Sequence, residues 1–189
     1  MNFPIIFHIL GWVLNMEAVL MIPSVITGFI YGDSTVTSFF WAMGLCLIIG
    51  IPLTIYKPKD RIFYMREGFV TVALCWIIMS IMGSLPFLFS GSITHPIDAL
   101  FETVSGFTTT GASILPEVES LPKCILFWRS FTHWIGGMGV LVFLLSVLPL
   151  SGGSHINLMK AESPGPIVGR ITPTVHSTAK TLYKLYVAL

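Results

Sequence analysis

Apolar residues gather in long blocks along the chain, and four of these blocks are long enough to cross a bilayer as helices. A spanning helix takes ~20 mostly apolar residues, at about 1.5 Å of rise each across roughly 30 Å of hydrocarbon. Pro4 to Tyr31 carries one acid, Glu17; Thr35 to Tyr56 and Gly68 to Ser92 carry no charge; Ile125 to Leu150 carries only Arg129, near its start. Each block predicts one membrane span.

Between the third and fourth blocks the pattern changes. His95 to Phe107 (HPIDALFETVSGF) has Pro96 near a first-turn position, Asp98 early and Gly106 near its end, which together predict a short helix. It is too short to cross. A short helix leading into a Thr/Gly stretch, set between two spans, predicts a re-entrant loop that dips into the membrane and returns to the same side. Irregular backbone at that depth survives only where protein buries it or where it lines water, so the expectation is a pore-lining segment.

Beyond Leu150 the blocks end. Gly152, Gly153, Pro164, Gly165, Pro166 and Pro173 break any long helix and predict a cytoplasmic connector. From Thr174 the segment TVHSTAKTLYKLYVAL opens polar and grows apolar, as a further span would at its start, and it reads as interrupted at Leu189.

Composition supports the bilayer as solvent. Of 189 residues 54% are apolar and 10% charged, with a mean hydropathy of +0.85, outside the range of a soluble globular domain. The net charge of +1 gives no ground for a nucleic-acid partner, and the distribution of charge is the informative quantity. With a cytoplasmic N-terminus, the linker after the second span (Lys57, Lys59, Asp60, Arg61, Arg66, Glu67) and the segment after the fourth (Lys160, Glu162, Arg170, Lys180, Lys184) both lie inside and are rich in bases, as the positive-inside rule requires. Asp33, Asp98, Glu102, Glu117 and Glu119 then lie outside, against Lys123 and Arg129. An acidic outer mouth concentrates cations; the same acids also follow from topology alone. Cys46, Cys75 and Cys124 have no metal or disulfide spacing and read as packing residues. No Lys or Arg precedes the first apolar block, so a cleaved signal peptide is not expected.

The candidate chemistry sits in Phe107 to Ser113 (FTTTGAS), directly after the short helix. A potassium-selective filter strips the ion's water with rings of backbone carbonyls, which needs a short strand in conformations often open only to glycine. Gly111 offers that freedom, and Thr108, Thr109 and Thr110 offer oxygens. The C-terminal end of the preceding helix directs partial negative charge toward a cation. Such a stretch also makes ordinary turns, and it is the placement between two spans that favours a filter.

Four blocks carry a family resemblance: REGFVTVALCWIIMSIMGSLPF (from Arg66), DALFETVSGFTTTGAS (from Asp98), FWRSFTHWIGGMGV (from Phe127) and KAESPGPI (from Lys160). In this order they resemble the N-terminal part of the TrkH/KtrB potassium-uptake family. The SGFTTTGA and WRSxxxWxGGMG blocks are its specific motifs, and the match covers most of the chain from Arg66 on. The resemblance implies a pore of four membrane-pore-membrane repeats in one polypeptide, each giving one filter strand, with two extra helices ahead in the TrkH branch. The expected fold is therefore an all-α integral membrane protein: two N-terminal transmembrane helices (1–60), a first membrane-pore-membrane repeat with a re-entrant pore loop (61–150), a connector (151–173) and the start of a second repeat (174–189).

Carried over by position, Thr109 and Thr110 become potassium ligands through main-chain oxygens, Gly111 the filter glycine, and Thr108 and Ala112 its flanks. The resemblance further implies potassium as transported substrate with no organic cofactor in this chain. It also implies a bacterial-type inner membrane, a homodimer at full length, and a cytoplasmic nucleotide-binding regulatory subunit (TrkA-like). Two other assemblies stay open: a homotetrameric potassium channel of short subunits, and a helical membrane subunit that does not conduct.

Other polar residues within the spans have blander readings. Glu17 reads as a helix-packing or interfacial acid. Gly136, Gly137 and Gly139, and the Gly28/Gly32 pair, read as close-packing positions rather than hinges. Arg129 is placed to pair with Glu102 or Glu119, and His133 to hydrogen-bond rather than ligate. Ser105 with His133 suggests a serine hydrolase only superficially, because no GxSxG surrounds Ser105. The expectation is a protein that is not an enzyme.

Overall fold

The structure, a computed structural model, describes residues 3–56, 65–137, 139, 184 and 186–188. All regular structure among them is helical. The first apolar block forms α1 (Phe3–Leu20) and α2 (Ile22–Tyr31), joined at Met21. The interruption has a covalent cause: Pro23 lacks the N–H that would bond one turn back, and its ring crowds the preceding carbonyl. The chain still carries on, because the Met21 N–H donates to the Glu17 carbonyl at 3.1 Å and the Val25 N–H to the Met21 carbonyl at 3.2 Å.

The second block forms α3 (Val36–Ile55) and the third α4 (Met65–Phe89). The short helix is α5 (Pro96–Phe107), beginning at the proline whose missing N–H needs no partner in a first turn. The fourth block begins as α6 (Lys123–Gly137). Three stretches are long and apolar enough to cross a membrane: Phe3–Tyr31, Val36–Ile55 and Arg66–Phe89. The expected fourth span begins at α6, but Gly139 is left-handed at φ 75°, a conformation that does not continue a right-handed helix. Residues 140–150 of that span, the connector 151–173, most of 174–189 and the charged linker at 57–61 lie outside the described residues.

The helices pack around α5, which lies between α4 and α6, while α1 packs most extensively on α3 and α2 lies against α6. One apolar core joins them, including Ile9, Val13, Phe39, Met79, Phe107 and Trp128. Trp128 ties α6 to α4 by donating its indole N–H to the Gly83 carbonyl at 2.9 Å, and it meets Phe39 edge-on. The outer surface is also apolar: Ile30, Ile48 and Ile55 are each at least 70% exposed. Such a surface suits hydrocarbon as the surrounding solvent. All three cysteines are buried, as packing residues are.

The Gly28/Gly32 pair divides its work. A side chain at Gly28 would strike Val36 and Cys124, so Gly28 permits close approach, whereas Gly32 ends α2 in a left-handed cap at φ 68°. Only the first is a packing glycine.

Candidate ion-binding strand

Three hydrogen bonds terminate α5 and launch the strand. The Thr108 N–H donates to Val104 at 2.9 Å, the Thr109 N–H to Gly106 at 2.9 Å and the Thr110 N–H to Ser105 at 3.0 Å. The last two form a Schellman motif, in which the residue after the cap is left-handed. Here that residue is Thr109, at φ 56°. Glycine is usual at such a position, and a β-branched side chain there costs about 1–2 kcal/mol, so surrounding contacts must hold it.

Gly111 is also left-handed, at φ 76°, while Thr108 is at φ −82° and Thr110 and Ala112 are not among the positive-φ residues. The sign of φ therefore alternates from Thr108 to Ala112. In an ordinary strand successive carbonyls point to opposite sides; alternation between right- and left-handed backbone turns successive peptide planes so that N–H groups gather on one side and carbonyls on the other. Among the described residues no hydrogen bond is directed to the carbonyls of Thr108, Thr109, Thr110 or Gly111, and all four residues are exposed. The hydroxyls serve the turn instead: Thr108 Oγ1 donates to the Val104 carbonyl at 2.7 Å and lies 2.8 Å from Thr110 Oγ1.

The strand's far end is tied back to α5. Ser105 Oγ donates to the Ala112 carbonyl at 2.6 Å. The Glu102 carboxylate accepts from Ser113 Oγ at 3.1 Å and from the Ile114 N–H at 3.0 Å, and it pairs with Arg129 Nε. Of the two partners suggested for Arg129 the structure selects Glu102. Ser105 Oγ is engaged with the Ala112 carbonyl, and His133 Nδ1 lies 3.0 Å from the Arg129 carbonyl.

Helix α6 approaches α5 closely enough to require small residues. A Cβ at Gly136 would collide with the main chain of Phe107, and one at Gly106 with the Thr132 side chain. Gly136 is thus a packing glycine directly behind the strand's first residue. The start of α6 is capped from far away in sequence: Asp33 Oδ2 accepts the Cys124 N–H at 2.9 Å. Two of the acids expected on the outer side, Asp33 and Glu102, are therefore engaged in structural bonds, and Glu117 and Glu119 are exposed.

Sequence reasoning missed the Ser105 and Glu102 ties, because nothing local marks a strand folding back on the helix before it. The Asp33 cap spans 91 positions and had no sequence signal either.

The fold defines an all-α membrane protein built around a short, half-buried helix and the exposed segment that follows it. The family described as TrkH, cation transport protein, matches residues 35–189, and the chain belongs to this family. It is 38% identical over 192 residues to the Trk system potassium uptake protein TrkH of Escherichia coli, and 34% identical over 194 residues to that of Halomonas elongata. Each alignment covers 100% of this chain and 40% of the relative, so the chain spans about 40% of the length of these curated relatives. The crystal structure of the potassium transporter TrkH from Vibrio parahaemolyticus superposes with a TM-score of 0.80 at 32% identity, covering 100% of this chain and 38% of that one.

Proposed function

We propose that this chain supplies one of four strands of a potassium-selective filter and acts in potassium uptake across the membrane. The observation that carries this reading is the alternating φ along Thr108–Ala112, with the carbonyls of Thr108 to Gly111 left unbonded among the described residues. Potassium loses its water only where several carbonyl dipoles replace it at once, and an exposed segment whose φ alternates in sign can gather its carbonyls on one side for that exchange. The names of the TrkH relatives, potassium uptake proteins, support the same ion.

In this reading Thr109 and Thr110 bind potassium through main-chain oxygens, Gly111 permits the left-handed turn between them and Ala112, and Thr108 and Ala112 flank the site. Residues 1–60 form two extra helices, 61–150 the first repeat with α5 and the strand as its re-entrant loop, 151–173 a cytoplasmic connector and 174–189 the start of a second repeat. The protein works in a bacterial-type inner membrane with its N-terminus in the cytoplasm. It pairs as a homodimer at full length and binds a cytoplasmic nucleotide-sensing regulatory subunit. The work is ion movement without covalent chemistry.

The test is ion flux through the polypeptide extended to the full length of its relatives. Gly111→Ser forces a side chain into a left-handed position, and the backbone shift that relieves the strain is expected to lower the potassium-to-sodium flux ratio by roughly tenfold, equal to about 1.4 kcal/mol of lost discrimination between the ions. An unchanged ratio with normal expression rejects the filter.

A further inference from the structure

Two side chains of α5 reach back onto the outer end of the strand, and both are buried. Ser105, at 5% exposure, donates its hydroxyl proton to the Ala112 carbonyl across 2.6 Å. Glu102, one turn earlier and 2% exposed, accepts from Ser113 Oγ and the Ile114 N–H and is held by Arg129. Ala112 thus differs from the four residues before it: its carbonyl already has a donor, and that donor lies in the protein.

A carbonyl has two lone pairs but one direction, and a carbonyl bonded to Ser105 points toward α5. We propose that Ser105 and Glu102 are positioning residues that set where the ion-binding strand ends: Ser105 withdraws the Ala112 carbonyl from the ligand set, and Glu102 anchors Ser113–Ile114 so that it stays withdrawn. The ligand carbonyls of this repeat then end at Gly111. Glu102 suits the task because its carboxylate accepts from Ser113 and Ile114 while its partner Arg129, 17% exposed, keeps it aimed from α6. Charge-assisted bonds of this kind hold geometry more firmly than neutral ones.

This inference rests on the filter reading, and the experiment separates the two. The full-length polypeptide is reconstituted in liposomes, and potassium and sodium fluxes are measured for Ser105→Ala, Ser105→Thr, Ser113→Ala and Gly111→Ser. Loss of the Ser105 bond is expected to lower the potassium-to-sodium ratio roughly two- to tenfold, the equivalent of one hydrogen bond, and Ser105→Thr, which retains the hydroxyl, to restore it. Ser113→Ala changes an exposed residue and is expected to assemble normally with a fall of about twofold, so it carries the test if Ser105→Ala does not assemble. A purely structural defect scales both fluxes together and leaves the ratio and the potassium KM unmoved.

If Gly111→Ser lowers the ratio while Ser105→Ala and Ser113→Ala do not, the positioning role is overturned and the filter stands. If none of the three moves it, the filter reading fails and the positioning role with it.

Discussion

Glu102 and Glu17 are both buried, at 2% and 0% exposure, and the surrounding protein treats them in opposite ways. Glu102 accepts from Ser113 and Ile114 and pairs with Arg129, whereas neither oxygen of Glu17 has a hydrogen-bond partner among the described residues. Glu17 faces α4 and α5: a Cβ at Gly83 would come within 3.1 Å of Glu17 Oε1, Phe107 and Thr103 alike. Their backbones explain part of the difference. Glu17 belongs to a helix whose own ladder satisfies the main chain, so no backbone N–H of that helix needs its carboxylate. Glu102 faces a segment without regular structure, where the Ile114 N–H would otherwise be orphaned. A buried acid that organises irregular backbone stabilises the fold; one inside a regular helix adds no backbone bond, and a group of the same size without charge serves as well there.

The comparison breaks most visibly at Glu102. Glu102→Ala leaves Arg129 without its partner and the Ile114 N–H unbonded, and the expected loss is about 3–5 kcal/mol, read as a lower thermal midpoint in detergent. Arg129→Gln keeps the Ser113 and Ile114 bonds and removes only the ion pair, so a loss of about 1–3 kcal/mol is expected by the same measurement. Glu17→Met, near in length and without charge, is expected to leave stability unchanged or raise it by up to about 1 kcal/mol. Ser113→Ala is the finest cut, a loss of about 0.5–1 kcal/mol: the hydroxyl donates to Glu102 and accepts from the Leu115 N–H at 3.1 Å, but the site is exposed and water replaces it. A Glu17→Met variant less stable than Arg129→Gln inverts the comparison and points to a partner for Glu17.

Much of the scaffold around these residues was legible in the sequence. Block length and charge predicted the apolar rods, and Pro96 with Asp98 marked the start of α5 to within a residue. The joint at Met21 had its signal in Pro23, but a proline within a membrane span is tolerated, and hydropathy alone reads straight through it. The strand was legible as a location, not as a conformation. Its Gly111 announced one left-handed residue, while Thr109 conceals another, since threonine is a poor predictor of positive φ. The ties from Ser105 and Glu102 and the cap from Asp33 join residues whose proximity arises only from packing. The Arg129–Glu102 pair was foreseeable because opposite charges in a membrane protein seek one another. Its coupling to Ser113 and Ile114 was not.

The central claim is that the main-chain oxygens of Thr109 and Thr110 bind potassium. The most direct measurement is anomalous scattering from the full-length protein crystallised with thallium, a potassium mimic, in place of potassium. The account predicts density beside the carbonyls of Thr109 and Thr110, on the side away from Ser105 and Glu102. Thallium bound elsewhere in the membrane region, with none beside these two carbonyls, would contradict it.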